Sequence, residues 1–84
     1  MVDDVSTAQE IETELRKALS YLTGNDLMRA DANTPFRELG IDSMMGLEIM
    51  AALEKKLKIE IQEKDVVGFT SIKDTVRILL GYVK

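Results

Sequence analysis

The chain has 84 residues, of which 45% are hydrophobic and 31% charged, and this fits one compact soluble domain over residues 1–84. It contains no Cys and no His, which excludes disulfides, thiolate metal sites, thiol nucleophiles and the most common general base. The formal net charge of −4 opposes contact with a phosphate backbone, so we expect no nucleic-acid partner.

The apolar stretches are short and interrupted by charges, and residues 1–10 lack the basic and apolar regions of a signal peptide. We therefore expect no membrane span and a cytoplasmic location. The three lysines within residues 55–58 have acidic neighbours on both sides. They are interpreted as the solvated end of a helix rather than as a nucleic-acid patch.

A first helix is expected to begin at Ser6 or Thr7, because each is followed three residues later by Gln or Glu, the pattern of a capping box. Gly24 favours the left-handed conformation that ends helices, so this helix should end near Leu22 or Thr23. Its core stripe at helical spacing comprises Ile11, Leu15, Ala18, Leu19 and Leu22.

Residues 23–42 are rich in Gly, Asn, Asp and Pro and have no sustained period, so they predict a long loop with a short helical turn near residues 34–38. Loops of this length are more often functional than idle. The side chains expected to hold the loop against the core are Leu27, Phe36, Leu39 and Ile41.

Asp42 is expected to cap a second helix that runs to about Leu57. Its core stripe comprises Ile49, Met50, Leu53 and Leu57. Another face carries a mixed apolar and charged set, which we call the exposed strip and define as Met44, Leu47, Glu48 and Ala51. Gly46 lies in the same helix at a cost of roughly 1 kcal/mol relative to Ala, and no function is inferred from it.

Residues 63–67 predict a short helix, and Thr70 or Ser71 is expected to cap a last one. The stripe of the last helix comprises Ile72, Val76, Leu79, Leu80 and Val83. The predicted fold is all-α. It is a four-helix bundle with three main helices, one short helix and a long loop between the first two main helices.

One candidate calcium loop fails, because an EF-hand numbered from Asp31 has Pro35 at its fifth position and Phe36 at its sixth, where a ligand and a glycine are needed. We expect no metal site. Ser43 lies outside any Gly-x-Ser-x-Gly motif and has no His partner, so we expect no catalytic residue and no enzyme. The start of a helix would nevertheless suit Ser43 as the anchor of a phosphodiester, although first-turn serines are common.

Residues 36–49 read Phe-Arg-Glu-Leu-Gly-Ile-Asp-Ser-Met-Met-Gly-Leu-Glu-Ile. This segment resembles the signature of the acyl carrier protein family, in which Leu-Gly-x-Asp-Ser-Leu opens the second helix and the serine carries phosphopantetheine. Further points of resemblance, in the right order, are Leu53-Glu54, Ile59-x-Ile61 and Phe69-Thr70-x-Ile72. The resemblance covers nearly the whole chain.

The resemblance implies that Ser43 bears a 4'-phosphopantetheine arm derived from coenzyme A, with Asp42 adjacent as the helix cap. The terminal thiol of the arm would hold acyl intermediates as thioesters. The exposed strip falls on the family's partner-recognition helix, with Met44 where the family usually has Leu. The implied partners of this monomer are a phosphopantetheinyl transferase, an acyltransferase, a ketosynthase and other synthase enzymes or domains.

Residues 42–60 contain four acids and three bases, whereas dissociated fatty-acid carriers are usually strongly acidic here. A polyketide-type carrier is therefore favoured over a fatty-acid one, and a peptidyl carrier ranks third because Gly40-Ile41 stands where such carriers usually have Gly-Gly. The rival of another class is a helical interaction module without a prosthetic group, whose exposed strip receives a partner helix. The sequence leaves open the acyl group and whether the chain is free-standing.

Overall fold

The computed structural model describes residues 4–83, which form four α-helices and one short 3-10 turn. The helices are α1 (Asp4–Thr23), α2 (Ser43–Leu57), α3 (Glu63–Val66) and α4 (Ile72–Leu80), and the 3-10 turn is Phe36–Leu39. No strand lies within residues 4–83. The predicted all-α arrangement of three main helices, one short helix and a long loop is confirmed.

Two of the helix starts follow from local capping, as predicted. The Asp42 carboxylate accepts a hydrogen bond from the Met45 N–H (3.0 Å), and the Ser71 hydroxyl accepts one from the Asp74 N–H (3.1 Å). The Thr70 hydroxyl also donates to the Asp74 carboxylate (2.7 Å), which holds the pKa of Asp74 below its usual range. Side-chain oxygens thus fix where α2 and α4 begin.

The start of α1 differs from the prediction. The helix begins at Asp4, so Ser6 and Thr7 lie inside it rather than at its first position. A capping-box pattern marks the start of a helix only if the preceding residues are not helical. Here the preceding residues continue the helix. The opposite end was predicted correctly, because α1 ends at Thr23 and Gly24 follows with φ 75°.

The core forms where α1 packs against both α2 and α4, while α3 packs against α2. Ile49 and Leu53 of the predicted α2 stripe are fully buried, whereas Met50 and Leu57 are partly buried at its edge. The buried hydrophobic side chains are Ile11, Leu15, Leu19, Leu27, Phe36, Ile41, Ile49, Leu53, Ile61, Phe69, Ile72, Val76 and Leu79.

The loop between α1 and α2 is fixed to α1 through Arg16. The Arg16 guanidinium donates hydrogen bonds to the carbonyl oxygens of Leu27 (2.9 Å) and Ala30 (2.8 Å), and its Nε lies 2.8 Å from Glu12 Oε2. The Leu27 N–H in turn donates to the Ser20 hydroxyl (2.8 Å). These bonds satisfy backbone groups that lie against the bundle, so the first part of the loop follows a defined path.

The second part of the loop is attached to the start of α4. The Phe36 N–H donates to the Thr70 carbonyl (2.8 Å), and the Lys73 N–H donates to the Ala32 carbonyl (3.0 Å). The predicted anchors Leu27, Phe36 and Ile41 are buried and Leu39 is partly buried. The loop therefore delivers the chain to the start of α2 from a fixed direction.

The two faces of α2 can be tested by one pair of substitutions. Leu53→Ala should lower the free energy of unfolding by about 2–5 kcal/mol, because the Leu53 side chain is fully buried and its removal leaves a cavity. Leu47→Ala makes the same chemical change at a residue that is 48% exposed and should cost much less. Denaturant unfolding measures both, and equal losses would show that the two faces are assigned wrongly.

Candidate functional site

Ser43 is the first residue of α2 and directly follows its cap, Asp42. It is exposed, and within residues 4–83 no hydrogen bond engages its hydroxyl. The Asp42 side chain is committed to the Met45 N–H, so the backbone next to Ser43 is held in one conformation. The result is a free hydroxyl at a fixed position that an enzyme can reach from solvent.

A groove of about 530 Å³ opens beside Ser43. Its walls come from the end of the long loop, from α2, from α3 and from the segment before α4. The apolar part of the lining includes Phe36, Ile41, Leu47, Val66, Val67 and Phe69. The charged side chains of the lining are Arg37, Asp42 and Glu63. A group attached to Ser43 would therefore have a partly apolar surface to lie on without entering the core.

The wall formed by α3 is kept close to α2 by a glycine. A methyl group added at Gly46 would lie only 3.2 Å from Val66 Cγ1, a tight contact that requires the Val66 side chain to shift by a few tenths of an ångström. Gly46 is buried and stands one helical turn after Ser43. This close approach of two helices explains the glycine inside α2, to which the sequence assigned no role.

The same wall is held from the other side by the end of the chain. The Tyr82 hydroxyl donates a hydrogen bond to the Asp65 carboxylate and accepts one from the Gln62 N–H (3.1 Å). The helix α3 has four residues, none of them buried, and no side-chain cap of its own. The position of α3 therefore depends on contacts of this kind. Tyr82 supports the α3 wall of the groove through its hydrogen bonds to Asp65 and Gln62.

All four members of the exposed strip face solvent, as their spacing predicts: Met44 is 80% exposed, and the other three are exposed as well. Among them, only Leu47 contributes to the lining of the groove. The structure therefore brings Leu47 together with Asp42 and Ser43. The rest of the strip forms the adjoining surface of α2.

Three residues of this region were missed by the sequence reasoning. Arg37 is the cation of the groove lining, and Val67 adds an apolar side chain that is 81% exposed. Gly46 is the point at which α2 and α3 approach closely. The glycine one turn after Ser43 was an available signal for Gly46. For Arg37 and Val67 the sequence gives no signal, because their place at the groove depends on how the loop and α3 fold back.

The part of the chain that the structure describes contains no group of three or more Asp, Glu, His or Cys side chains able to hold a metal ion. None of its helices is both long and apolar enough to cross a bilayer.

Residues 9–79 match the family described as the phosphopantetheine attachment site. The chain belongs to this family. Polyketide-8 synthase acyl carrier protein 2 of Streptomyces avermitilis is 30% identical over 80 residues, which cover 94% of this chain and 91% of that protein. The 3-methylorcinaldehyde synthases of Sarocladium schorii and of a Phoma species are each 22% identical, and this chain spans only 3% of their length.

The fold has a matching solved structure. The crystal structure of an acyl carrier protein from Thermotoga maritima superposes with a TM-score of 0.76 at 22% identity, covering 88% of this chain and 87% of that one. This match confirms the predicted fold. The family match and the 30% identical relative confirm the predicted carrier class and its covalent phosphopantetheine group. A carrier of this family is not a catalyst, which agrees with the prediction that the chain is not an enzyme.

The contact between Tyr82 and α3 predicts a pH effect. The hydrogen bond to the Asp65 carboxylate, and the charge of that carboxylate, raise the pKa of Tyr82 above its ordinary value near 10. Because the folded pKa is raised, the stabilisation from Tyr82 is present below the ordinary value and is lost as the pH rises through the folded pKa. The Tyr21→Phe variant leaves Tyr82 as the remaining tyrosine.

Phenolate absorbance of Tyr21→Phe should therefore have a higher titration midpoint in the folded chain than in the same chain unfolded by denaturant. The Tyr82→Phe variant serves as the control, since its tyrosine lies on α1 and is 86% exposed. Equal midpoints for folded and unfolded Tyr21→Phe would contradict the contact between Tyr82 and Asp65.

Proposed function

We propose that Ser43 carries the phosphopantetheine arm and that the chain presents acyl groups on this arm to the enzymes of a synthase. The observation that supports the proposal most directly is the free, exposed Ser43 hydroxyl at the mouth of an apolar groove, inside the segment that matches the attachment family. When bound, the arm supplies a terminal thiol that holds an acyl group as a thioester. The chain itself has no Cys to do so.

Attachment is a phosphoryl transfer from coenzyme A. The Ser43 oxygen forms a bond to the phosphorus of the phosphopantetheine half, the pyrophosphate bond of coenzyme A breaks, adenosine bisphosphate leaves and the serine proton is released. No group of this chain needs to act as a base, because the transferase supplies the catalysis. The contribution of this chain is to hold Ser43 where the transferase can reach it, with Asp42 fixing the backbone.

The exposed strip is proposed as the surface on which partner enzymes dock. Its apolar members Met44 and Leu47 lie beside Glu48 on one face of α2, so a partner can bury apolar area there and pair one charge. The transferase must reach Ser43, an acyltransferase and a ketosynthase must reach the arm attached there, and the strip begins one residue after Ser43. Docking on this strip brings all of them to the same end of α2.

A polyketide synthase is the proposed setting. The nearly balanced charge of residues 42–60 favours it over a fatty-acid system, and Polyketide-8 synthase acyl carrier protein 2 resembles this chain over most of its length. We further propose that residues 1–84 form a single carrier domain that acts as a monomer in the cytoplasm, where coenzyme A is available. In this proposal the apolar side chains of the exposed strip contact partner enzymes transiently and do not form an interface with a second copy of the chain.

Removal of the Ser43 hydroxyl tests the attachment site. After incubation with coenzyme A and a broad-specificity phosphopantetheinyl transferase, the wild-type chain should gain the mass of one phosphopantetheinyl group and one thiol that reacts with a thiol reagent. Ser43→Ala should gain neither. Because Ser43 is exposed, the variant should keep its stability, and circular dichroism checks this. A folded Ser43→Ala chain that is still modified would show that another residue is the site.

Charge reversal tests the docking surface. Glu48→Lys changes an exposed residue of the strip without touching the core, so folding should survive while transfer to a partner with a basic docking site slows, most strongly at low salt. Glu10→Lys makes the same change of charge at an exposed position of α1 and should leave transfer unchanged. If the two variants react at the same rate at every salt concentration, the exposed strip is not the docking surface.

A further inference from the structure

The groove beside Ser43 has an uneven distribution of charge. Among the side chains that line it, Asp42 and Glu63 are acidic and Arg37 is the cation. A phosphodiester attached to Ser43 would add a further negative charge next to Asp42. That charge is repelled by both carboxylates and attracted by Arg37, which lies in the 3-10 turn Phe36–Leu39.

The local fold brings Arg37 to the chain that leads into Ser43. Arg37 lies in the 3-10 turn Phe36–Leu39, after which Gly40 adopts φ 82° and the chain reverses. The Ile41 N–H then donates to the Phe36 carbonyl (3.0 Å), which closes the turn two residues before Ser43. Since Phe36 and Ile41 are buried, the backbone that carries Arg37 is fixed relative to the start of α2.

The Arg37 side chain is exposed and has no partner in the described part of the chain. The ion pairs found there join Arg16 to Glu12, Lys17 to Glu14 and Arg77 to Asp74. Glu63, on the α3 side of the groove, forms no ion pair with Arg37. The guanidinium is therefore available, and its planar array of donors fits two phosphate oxygens at once.

We propose that Arg37 binds the phosphate of the arm attached to Ser43 and so directs the arm along the apolar groove. The inference rests on the proposed attachment at Ser43 and adds a residue to that site. Arg37 acts as a positioning residue, because it contacts the non-reacting end of the arm and takes no part in acyl transfer. The arm then leaves the serine towards Leu47 and α3 instead of extending freely into solvent.

Phosphorus NMR of the modified chain tests the contact at the phosphate itself. The phosphodiester resonance of wild type should differ from that of Arg37→Ala, and added salt should move the wild-type resonance towards the Arg37→Ala position because an exposed ion pair is screened. Arg29→Ala is the matched control. It removes the same charge from an exposed loop residue outside the groove lining and should leave the resonance unchanged.

A second readout needs no variant. In wild type, the Nε–H resonance of Arg37 should shift when the arm is attached, whereas that of Arg29 should stay in place. Suppose that the arm is attached, that the Arg37 Nε–H resonance is the same before and after attachment, and that the phosphorus resonance of Arg37→Ala equals that of wild type. The inference is then wrong while the proposed function stands. If mass spectrometry shows that wild type never gains the arm, the proposed function and this inference fail together.

Discussion

The position of Ser43 depends on how the long loop between α1 and α2 is fastened to the bundle. A loop of this length has many conformations in the unfolded chain, so fixing it carries an entropic cost that specific contacts must offset. Arg16 supplies them at one end through the Leu27 and Ala30 carbonyls. Burial of Phe36 and its hydrogen bond to Thr70 supply them at the other. The loop thus becomes a rigid approach to the start of α2.

The rest of the site follows from that approach. Asp42 ends the loop and caps α2, which leaves Ser43 exposed at the first helical position. The turn that carries Arg37, the start of α2 and α3 all line the groove, and α3 approaches α2 at Gly46 and is hydrogen-bonded to Tyr82. None of these groups has to perform catalysis. A carrier needs a reachable attachment point and a recognisable surface, and a chain of 84 residues can provide both around one small core.

Local signals made much of this predictable. The apolar period of α2 and the caps Asp42 and Ser71 are encoded within a few residues, and the structure has them as expected. The last helix is shorter than predicted, because α4 ends at Leu80 before Gly81 and Val83 of its predicted stripe therefore lies outside the helix. The start of α1 was predicted wrongly, because a capping pattern says little when a helix can continue through it. The groove was not predictable. It depends on the contact of Gly46 with Val66, twenty residues apart along the chain, and long-range contacts of this kind leave no periodic signal.

The central claim is that the arm is attached at Ser43 and nowhere else in the chain. Fragment-ion mass spectrometry of the digested, modified protein locates the added group on a single residue. We predict that every modified fragment contains Ser43 and that fragments carrying Ser20 or Ser71 keep their unmodified masses, since the hydroxyls of both already accept backbone hydrogen bonds. The added group on any residue other than Ser43, or on several residues, would contradict the claim.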